Sequence, residues 1–85
     1  MPTIVREAGF EVRIYTADHP PAHVHVEKAG AMLKIDLYSL QVVRIAGAIA
    51  DHDVRHAEEI VTRHAVQLKA AWARLHGERV WPRVM

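Results

Sequence analysis

Hydrophobic and polar residues alternate along three stretches in the first half of the chain. The alternation runs from Phe10 to Tyr15 and returns from His23 to Glu27 and from Leu33 to Tyr38. A period of two is typical of a strand that buries one face. We predict a hairpin turn at Lys28–Gly30 between the second and third stretches. The apolar segment from Ser39 to Ile45 is a candidate for a fourth strand.

The last third of the chain changes to the period of a helix. Apolar residues recur three and four positions apart from Val54 to Leu75. At 100° per residue this spacing confines them to a stripe about 80° wide. We therefore predict one continuous amphipathic helix from Asp53 to Leu75, with Val61, Leu68 and Trp72 packed against the strands.

Strands followed by one long helix predict an α+β fold of two layers. The expected architecture is a small antiparallel sheet of three to four strands, covered on one face by the long C-terminal amphipathic helix. Residues 1–77 would form this single domain, and residues 78–85 would be a C-terminal tail or a short edge segment. The positions expected to face the helix are Phe10, Val12, Ile14, Val24, Val26, Leu33, Ile35 and Leu37.

The opposite face of the predicted sheet carries most of the candidate chemistry. Successive side chains on a strand point to opposite faces, so the residues between the apolar positions should lie together on an open surface. They are Arg13, Tyr15, His23, His25, Glu27, Lys34 and Asp36.

Composition excludes several classes of protein. The chain has 85 residues, 51% of them hydrophobic, and a formal net charge of +1, so it is neither disordered nor polybasic. The absence of cysteine excludes a disulfide framework, a thiolate zinc site and a cysteine nucleophile. The longest uncharged apolar run, Ile45–Ala50, is too short to span a bilayer, and we expect a cytoplasmic protein without a signal peptide.

Histidine is the most unusual feature of the composition. The chain has seven histidines, one serine and four glycines that stand far apart. This set cannot form a phosphate-binding glycine loop or a serine nucleophile elbow. We expect imidazole, carboxylate, arginine or tyrosine chemistry.

The pair His23 and His25 is the sharpest local motif. Residues i and i+2 of a strand project in the same direction, so two neutral imidazoles there can bind one metal ion. A third ligand would come from Asp18, His19, Glu27 or Asp36. The alternative is that both histidines are solvated or bonded to neighbouring carboxylates.

The same face also fits metal-independent cleavage of RNA. Imidazoles can transfer protons, and the side chains of Arg13 and Lys34 can stabilise the charge that develops on a phosphate. Tyr15 offers a ring on which a base can stack. The net charge of +1 is low for a protein whose whole role is to bind nucleic acid.

Several segments together resemble a known family of small bacterial proteins. They are the opening Met1–Ile4, the pair Gly9–Phe10, the run from Asp18 to Val26, and Trp72. This combination is similar to the bacterial domain-of-unknown-function family 4160, whose hallmark is the aspartate, histidine, proline and histidine–valine–histidine–valine run. The resemblance extends to Leu75.

The resemblance implies a role as well as a fold. Members of the family are often encoded beside a protein of domain-of-unknown-function family 2442, an arrangement interpreted as a toxin–antitoxin pair. A toxin-like role is therefore implied for this chain. The motif positions that would carry it are Asp18, His19, Pro21, His23 and His25.

The leading hypothesis is a toxin component that acts on RNA through the open face, as a ribonuclease that needs no cofactor. Its expected partner is a small cognate antitoxin-like protein. Two alternatives stay open: a non-enzymatic interaction module that uses an edge strand or forms a homodimer, and a metal-binding protein. The residues assigned to catalysis are His23, His25, His19, Asp18, Arg13 and Tyr15.

Overall fold

The computed structural model describes residues 3–76, which form one antiparallel sheet and two helices. The five strands lie in sequence order, each paired with the next. Their bounds are β1 Thr3–Glu7, β2 Phe10–Arg13, β3 His23–Lys28, β4 Ala31–Asp36 and β5 Val42–Ala46. The helices follow as α1 Asp51–Arg63 and α2 Ala65–Leu75. The α+β class is confirmed, with five strands instead of three to four and two helices instead of one.

Strand β1 was not predicted, because its pattern of hydrophobic and polar residues is irregular. The pairing of β1 with β2 shifts register between Thr3 and Val5. Such a bulge breaks the period of two on which strand prediction depends. Ile4 and Val5, adjacent in sequence, both contact the core.

Two-residue turns join β1 to β2 and β3 to β4. Ala8 and Gly9 have φ of 51° and 84°, and Ala29 and Gly30 have φ of 48° and 86°. Positive φ at both central positions is the feature of the type I′ turn, whose twist matches that of the flanking strands. The predicted hairpin at residues 28–30 is confirmed.

The predicted continuous helix is interrupted at His64, which has φ of −105° and ψ of 15°. A straight helix over Asp51 to Leu75 would be about 37 Å long, whereas strands of four to six residues span only about 13–20 Å. The break keeps Ile60 of α1 and Trp72 of α2 both buried against the sheet. The helical period continues through His64 in the sequence, but the helix breaks there because both halves must pack on a short sheet.

The core lies between the helices and one face of the sheet. All eight side chains predicted to face the helix are buried, and Leu68 and Trp72 of α2 join them. Period-two alternation thus identified the inner face correctly. The predicted tail, residues 78–85, lies outside the described residues. No helix within residues 3–76 is both long and apolar enough to cross a membrane.

Polar contacts surround this core and connect the helices to the sheet. Lys28 Nζ donates to Asp53 Oδ1 at 3.2 Å, and the backbone N–H of Val42 donates to Glu58 Oε2 at 3.2 Å. Glu7 accepts hydrogen bonds from Arg63, the last residue of α1. These contacts place α1 across the sheet from β1 to β5.

Candidate functional site

The loop between β2 and β3 carries the first residue of the site. The N–H of Asp18 donates to the carbonyl of Tyr15 at 3.1 Å, which forms a turn directly after the strand. Pro20 and Pro21 follow, joined by a cis peptide bond, and their fixed φ angles stiffen the loop. At the far end of the loop, the carbonyl of Ala22 accepts the N–H of Leu37 at 2.9 Å.

Asp18, His23 and His25 form a cluster on which the site is built. Asp18 Oδ2 lies 3.1 Å from His25 Nε2 and 3.2 Å from His23 Nε2. One potential ligand atom from each residue lies within 4.8 Å of the other two. Of the four predicted candidates for a third ligand, the fold therefore selects Asp18.

The two histidines of the motif have different environments. His23 was expected on the open, solvent-accessible face, but it is buried, with 5% of its surface exposed. It lies at the first position of β3, where the proline loop covers it and the Trp72 ring packs against it, with ring centroids 5.2 Å apart. His23 Nδ1 lies 2.8 Å from the carbonyl oxygen of Pro21.

His25 is the more accessible member of the pair, with 16% of its side chain exposed. Its ring lies against the ring of Tyr15, with centroids 4.6 Å apart. Burial lowers the pKa of His25, and the nearby charge of Asp18 opposes that shift. Its Nδ1 atom is buried and has no hydrogen-bond partner.

An open cavity of about 750 Å³ lies over the cluster and the adjacent strands. The proline loop forms one wall, with His19 exposed on it. Met32, Lys34 and Arg44 from β4 and β5 form the opposite side. The cavity is large enough for a small ligand or for one or two nucleotides.

Basic side chains cross the sheet in one row beside this cluster. Register pairs Arg13 with His25, His25 with Lys34, and Lys34 with Arg44, so these residues occupy the same position on β2 to β5. Within residues 3–76, neither Lys34 nor Arg44 has an ion-pair partner. Lys34 was predicted on this face from strand alternation, whereas Arg44 was not, because only the β4–β5 register brings Arg44 to the row.

Arg13 and Tyr15 do not line the cavity. Arg13 is paired with Glu11 and Glu27, and its hydrogen bond to Glu11 raises its pKa. The hydroxyl of Tyr15 donates to Glu27 Oε2 at 3.1 Å, and burial raises the pKa of that hydroxyl. The Tyr15 ring thus packs against the His25 ring. Arg13 neutralises the carboxylates of Glu11 and Glu27.

Asp36 and Glu27 are also excluded as ligands by their own contacts. Asp36 Oδ1 accepts the backbone N–H groups of Tyr38 at 2.7 Å and Ser39 at 2.8 Å. The hydrogen bond from the Ser39 backbone is the main reason that the pKa of Asp36 is lowered. Asp36 therefore stabilises the turn after β4, while Glu27 is held by Tyr15 and Arg13.

A layer of rings supports the cluster from the core side. The His76 ring stacks on Trp72 with centroids 3.7 Å apart, and Trp72 in turn contacts His23. His76 Nε2 lies 3.1 Å from the Tyr15 carbonyl oxygen, at the start of the proline loop. The core position of Trp72, predicted from the helical spacing, is confirmed, whereas no pattern in the sequence indicated a role for His76 in the site.

Comparison with known proteins identifies the family of this chain. Residues 9–73 match the family described as a domain of unknown function (DUF4160). The match includes the whole cluster together with Lys34 and Arg44. No curated protein and no solved structure matches the chain. Since the matched segment covers most of the sequence, the chain belongs to the DUF4160 family.

Proposed function

We propose that this protein cleaves RNA at the cavity over Asp18, His23 and His25, and that it acts as the toxin-type component of a bacterial two-component system. One observation carries the proposal. Two cations without ion-pair partners in the described chain, Lys34 and Arg44, lie beside a histidine–carboxylate cluster in one open cavity.

The paired cations favour an anionic ligand. Like charges directly opposite each other on neighbouring strands destabilise a sheet, and Lys34 and Arg44 are such a pair. A phosphate bound between them would relieve this repulsion and accept charge-assisted hydrogen bonds from both. Phosphodiesters provide such groups at regular spacing along a strand of RNA.

RNA cleavage also requires that a nucleophile be activated next to the phosphate, and the cluster would supply this activation. A histidine supported by a carboxylate is a common general base, because the carboxylate orients the ring and stabilises its charged form. Asp18 Oδ2 has this relation to His25 Nε2 at 3.1 Å, which leaves Nδ1, a buried atom without a hydrogen-bond partner, as the nitrogen that would accept the proton. His25 also shares its row with Lys34, so the activating and phosphate-binding groups are neighbours.

The direct test is cleavage of a labelled single-stranded RNA oligonucleotide by the purified chain. We expect His25→Gln to lower the rate by about 100-fold or more. The pair Lys34→Gln and Arg44→Gln should weaken RNA binding and reduce its dependence on salt. Arg55→Gln, which removes an exposed cation from α1, is the matched control and should leave cleavage unchanged.

Expression in a bacterial host without any partner tests the toxin role. The native chain should arrest growth, and His25→Gln at the same soluble level should relieve the arrest. We prefer His25 to His23 for this test, because His23 is buried and its replacement would also destabilise the fold. A native chain that leaves RNA intact and growth unaffected contradicts the proposal.

A second candidate function is protein interaction without catalysis. Among residues 3–76, strand β5 is an edge of the sheet, and its Val43 and Ile45 are 57% and 49% exposed. Exposed apolar residues on a free edge favour addition of a strand from another chain. If the native chain neither cleaves RNA nor arrests growth, this candidate becomes the better one.

A further inference from the structure

We propose that Asp18, His23 and His25 bind one divalent transition-metal ion, with zinc as the expected metal. The binding site is argued from geometry alone, whereas any part that the ion plays in cleavage rests on the proposed function. Four steps lead from the geometry to this site: the convergence of the ligands, the placement of their hydrogens, their support and the type of ion.

The first step is the convergence of both imidazoles on one oxygen. The Nε2 atoms of His23 and His25 lie 3.2 Å and 3.1 Å from the same atom, Asp18 Oδ2. Zinc bonds to nitrogen and oxygen are about 2.0–2.2 Å long, which separates neighbouring ligands in a tetrahedral site by about 3.4 Å. Both distances to Asp18 are slightly shorter than this separation, and the ligand atoms of the three residues lie within 4.8 Å of one another.

The second step follows from where the hydrogens must be. A backbone carbonyl can only accept, so the contact of His23 Nδ1 with the Pro21 oxygen requires a hydrogen on Nδ1. In neutral His23 the Nε2 lone pair then faces the carboxylate of Asp18, which also only accepts. Either a proton or a metal ion must therefore lie between these two atoms. A proton would join His23 to the carboxylate, whereas a metal ion at the same point would bind His23, Asp18 and the Nε2 atom of His25 together.

The third step is the support that holds the ligands in place. A metal-binding histidine usually donates its other ring N–H to a carbonyl or carboxylate, which fixes the ring and its tautomer. The Pro21 carbonyl is such a partner for His23. Trp72 packs against the same ring, and the stiff proline loop places Asp18 over it.

The fourth step is the type of ion. Two imidazoles and one carboxylate suit zinc and other late first-row metals, whereas calcium and magnesium prefer oxygen ligands alone. Three protein ligands leave a fourth position for water or substrate, as in catalytic zinc sites. With the ion bound, His25 would be a ligand, and the ion would take over the activation of the nucleophile that the free ring supplies in the metal-free site. The three ligands also line the cavity that contains Lys34 and Arg44, so a phosphate oxygen bound there can reach that position.

The test is titration of the chelator-treated full chain with Zn²⁺ by calorimetry, and with Co²⁺ by visible absorption. We expect one ion per chain and an intense tetrahedral cobalt spectrum. Asp18→Asn and His25→Gln should each weaken binding by about 100-fold or more. The matched control is the pair His52→Gln and His56→Gln, which removes two histidines one turn apart on α1 and should leave the affinity unchanged.

Three results would overturn the proposal: no saturable binding by the folded native chain, binding that survives Asp18→Asn and His25→Gln, or binding that disappears in the α1 control. Circular dichroism of each variant confirms that the fold is retained. Zinc binding without RNA cleavage would support this site while contradicting the proposed function. RNA cleavage by a chain that binds no metal would support the proposed function while contradicting this site.

Discussion

At the scale of single residues, the site depends on what surrounds each ring as much as on the ring itself. His23 and His25 are two positions apart and share the Asp18 carboxylate, yet one is buried against Trp72 and the other faces the cavity. The Trp72 ring lies between His23 and His76 and is 2% exposed. It therefore belongs to both the core and the support of the cluster.

We expect Trp72→Ala to lower the free energy of unfolding by about 3–5 kcal/mol, because a large buried ring is removed and a cavity is left. Urea unfolding followed by circular dichroism measures the change. Val66→Ala on the same helix is the control, since Val66 is 85% exposed and its loss should cost less than about 0.5 kcal/mol. Similar losses in both variants would show that Trp72 is not a core residue.

At the scale of elements, turn geometry and register decide which side chains meet. The β3–β4 turn determines that His25 lies opposite Lys34, and the β4–β5 pairing then brings Arg44 beside Lys34. Ala29 occupies the first central position of the β3–β4 turn with φ of 48°. Most residues with a Cβ are strained there, whereas asparagine tolerates this conformation because its short polar side chain can hydrogen-bond to the nearby backbone.

Replacement Ala29→Asn should therefore raise the free energy of unfolding by about 0.5–1 kcal/mol, since Asn–Gly is the preferred pair in a type I′ turn. The control is Ala70→Asn on the exposed side of α2, where lower helix propensity should destabilise by about 0.5 kcal/mol. We expect the two substitutions to change the free energy of unfolding, measured by chemical denaturation, in opposite directions. A loss of stability at both positions would contradict the assigned turn.

At the scale of the whole molecule, Glu7 connects the sheet to the helix break. It accepts hydrogen bonds from Arg63, and His64 Nε2 lies 3.2 Å from its Oε1. The hydrogen bond from Arg63 is the main reason that the pKa of Glu7 falls from 4.5 to about 2. A lowered carboxylate pKa stabilises the fold above the unfolded value and loses that effect as pH falls toward the folded value.

We expect Glu7→Gln to melt at a lower temperature than the native chain at pH 6, because it lacks the charged contact with Arg63. The difference should shrink between pH 4.5 and pH 2, where Glu7 itself becomes protonated. Thermal melts across this range measure it. Glu59→Gln, an exposed carboxylate on α1 whose only effect on Arg63 is a weaker charge interaction, is the control and should show a smaller trend. A difference that stays constant to pH 2 would contradict the role of the Glu7 charge.

Local periodicity by itself determined much of this protein. The change from a period of two to the helical period predicted two layers, and alternation identified the buried positions from Phe10 to Leu37. Spacing also predicted that His23 and His25 project together, since side-chain direction along a strand is a property of the local backbone. The two prolines before them predicted a stiff loop.

Only the tertiary structure decided how these pieces meet. Strand β1, the break at His64, the burial of His23 and the choice of Asp18 over Asp36 all depend on contacts between residues far apart in sequence. Arg44 joins the row for the same reason, because a bulge shifts the β4–β5 register between Lys34 and Ile35. A sequence pattern specifies the face on which a side chain lies. Its neighbours on that face are set by strand pairing and by loops that pack over the sheet, which are properties of the whole fold.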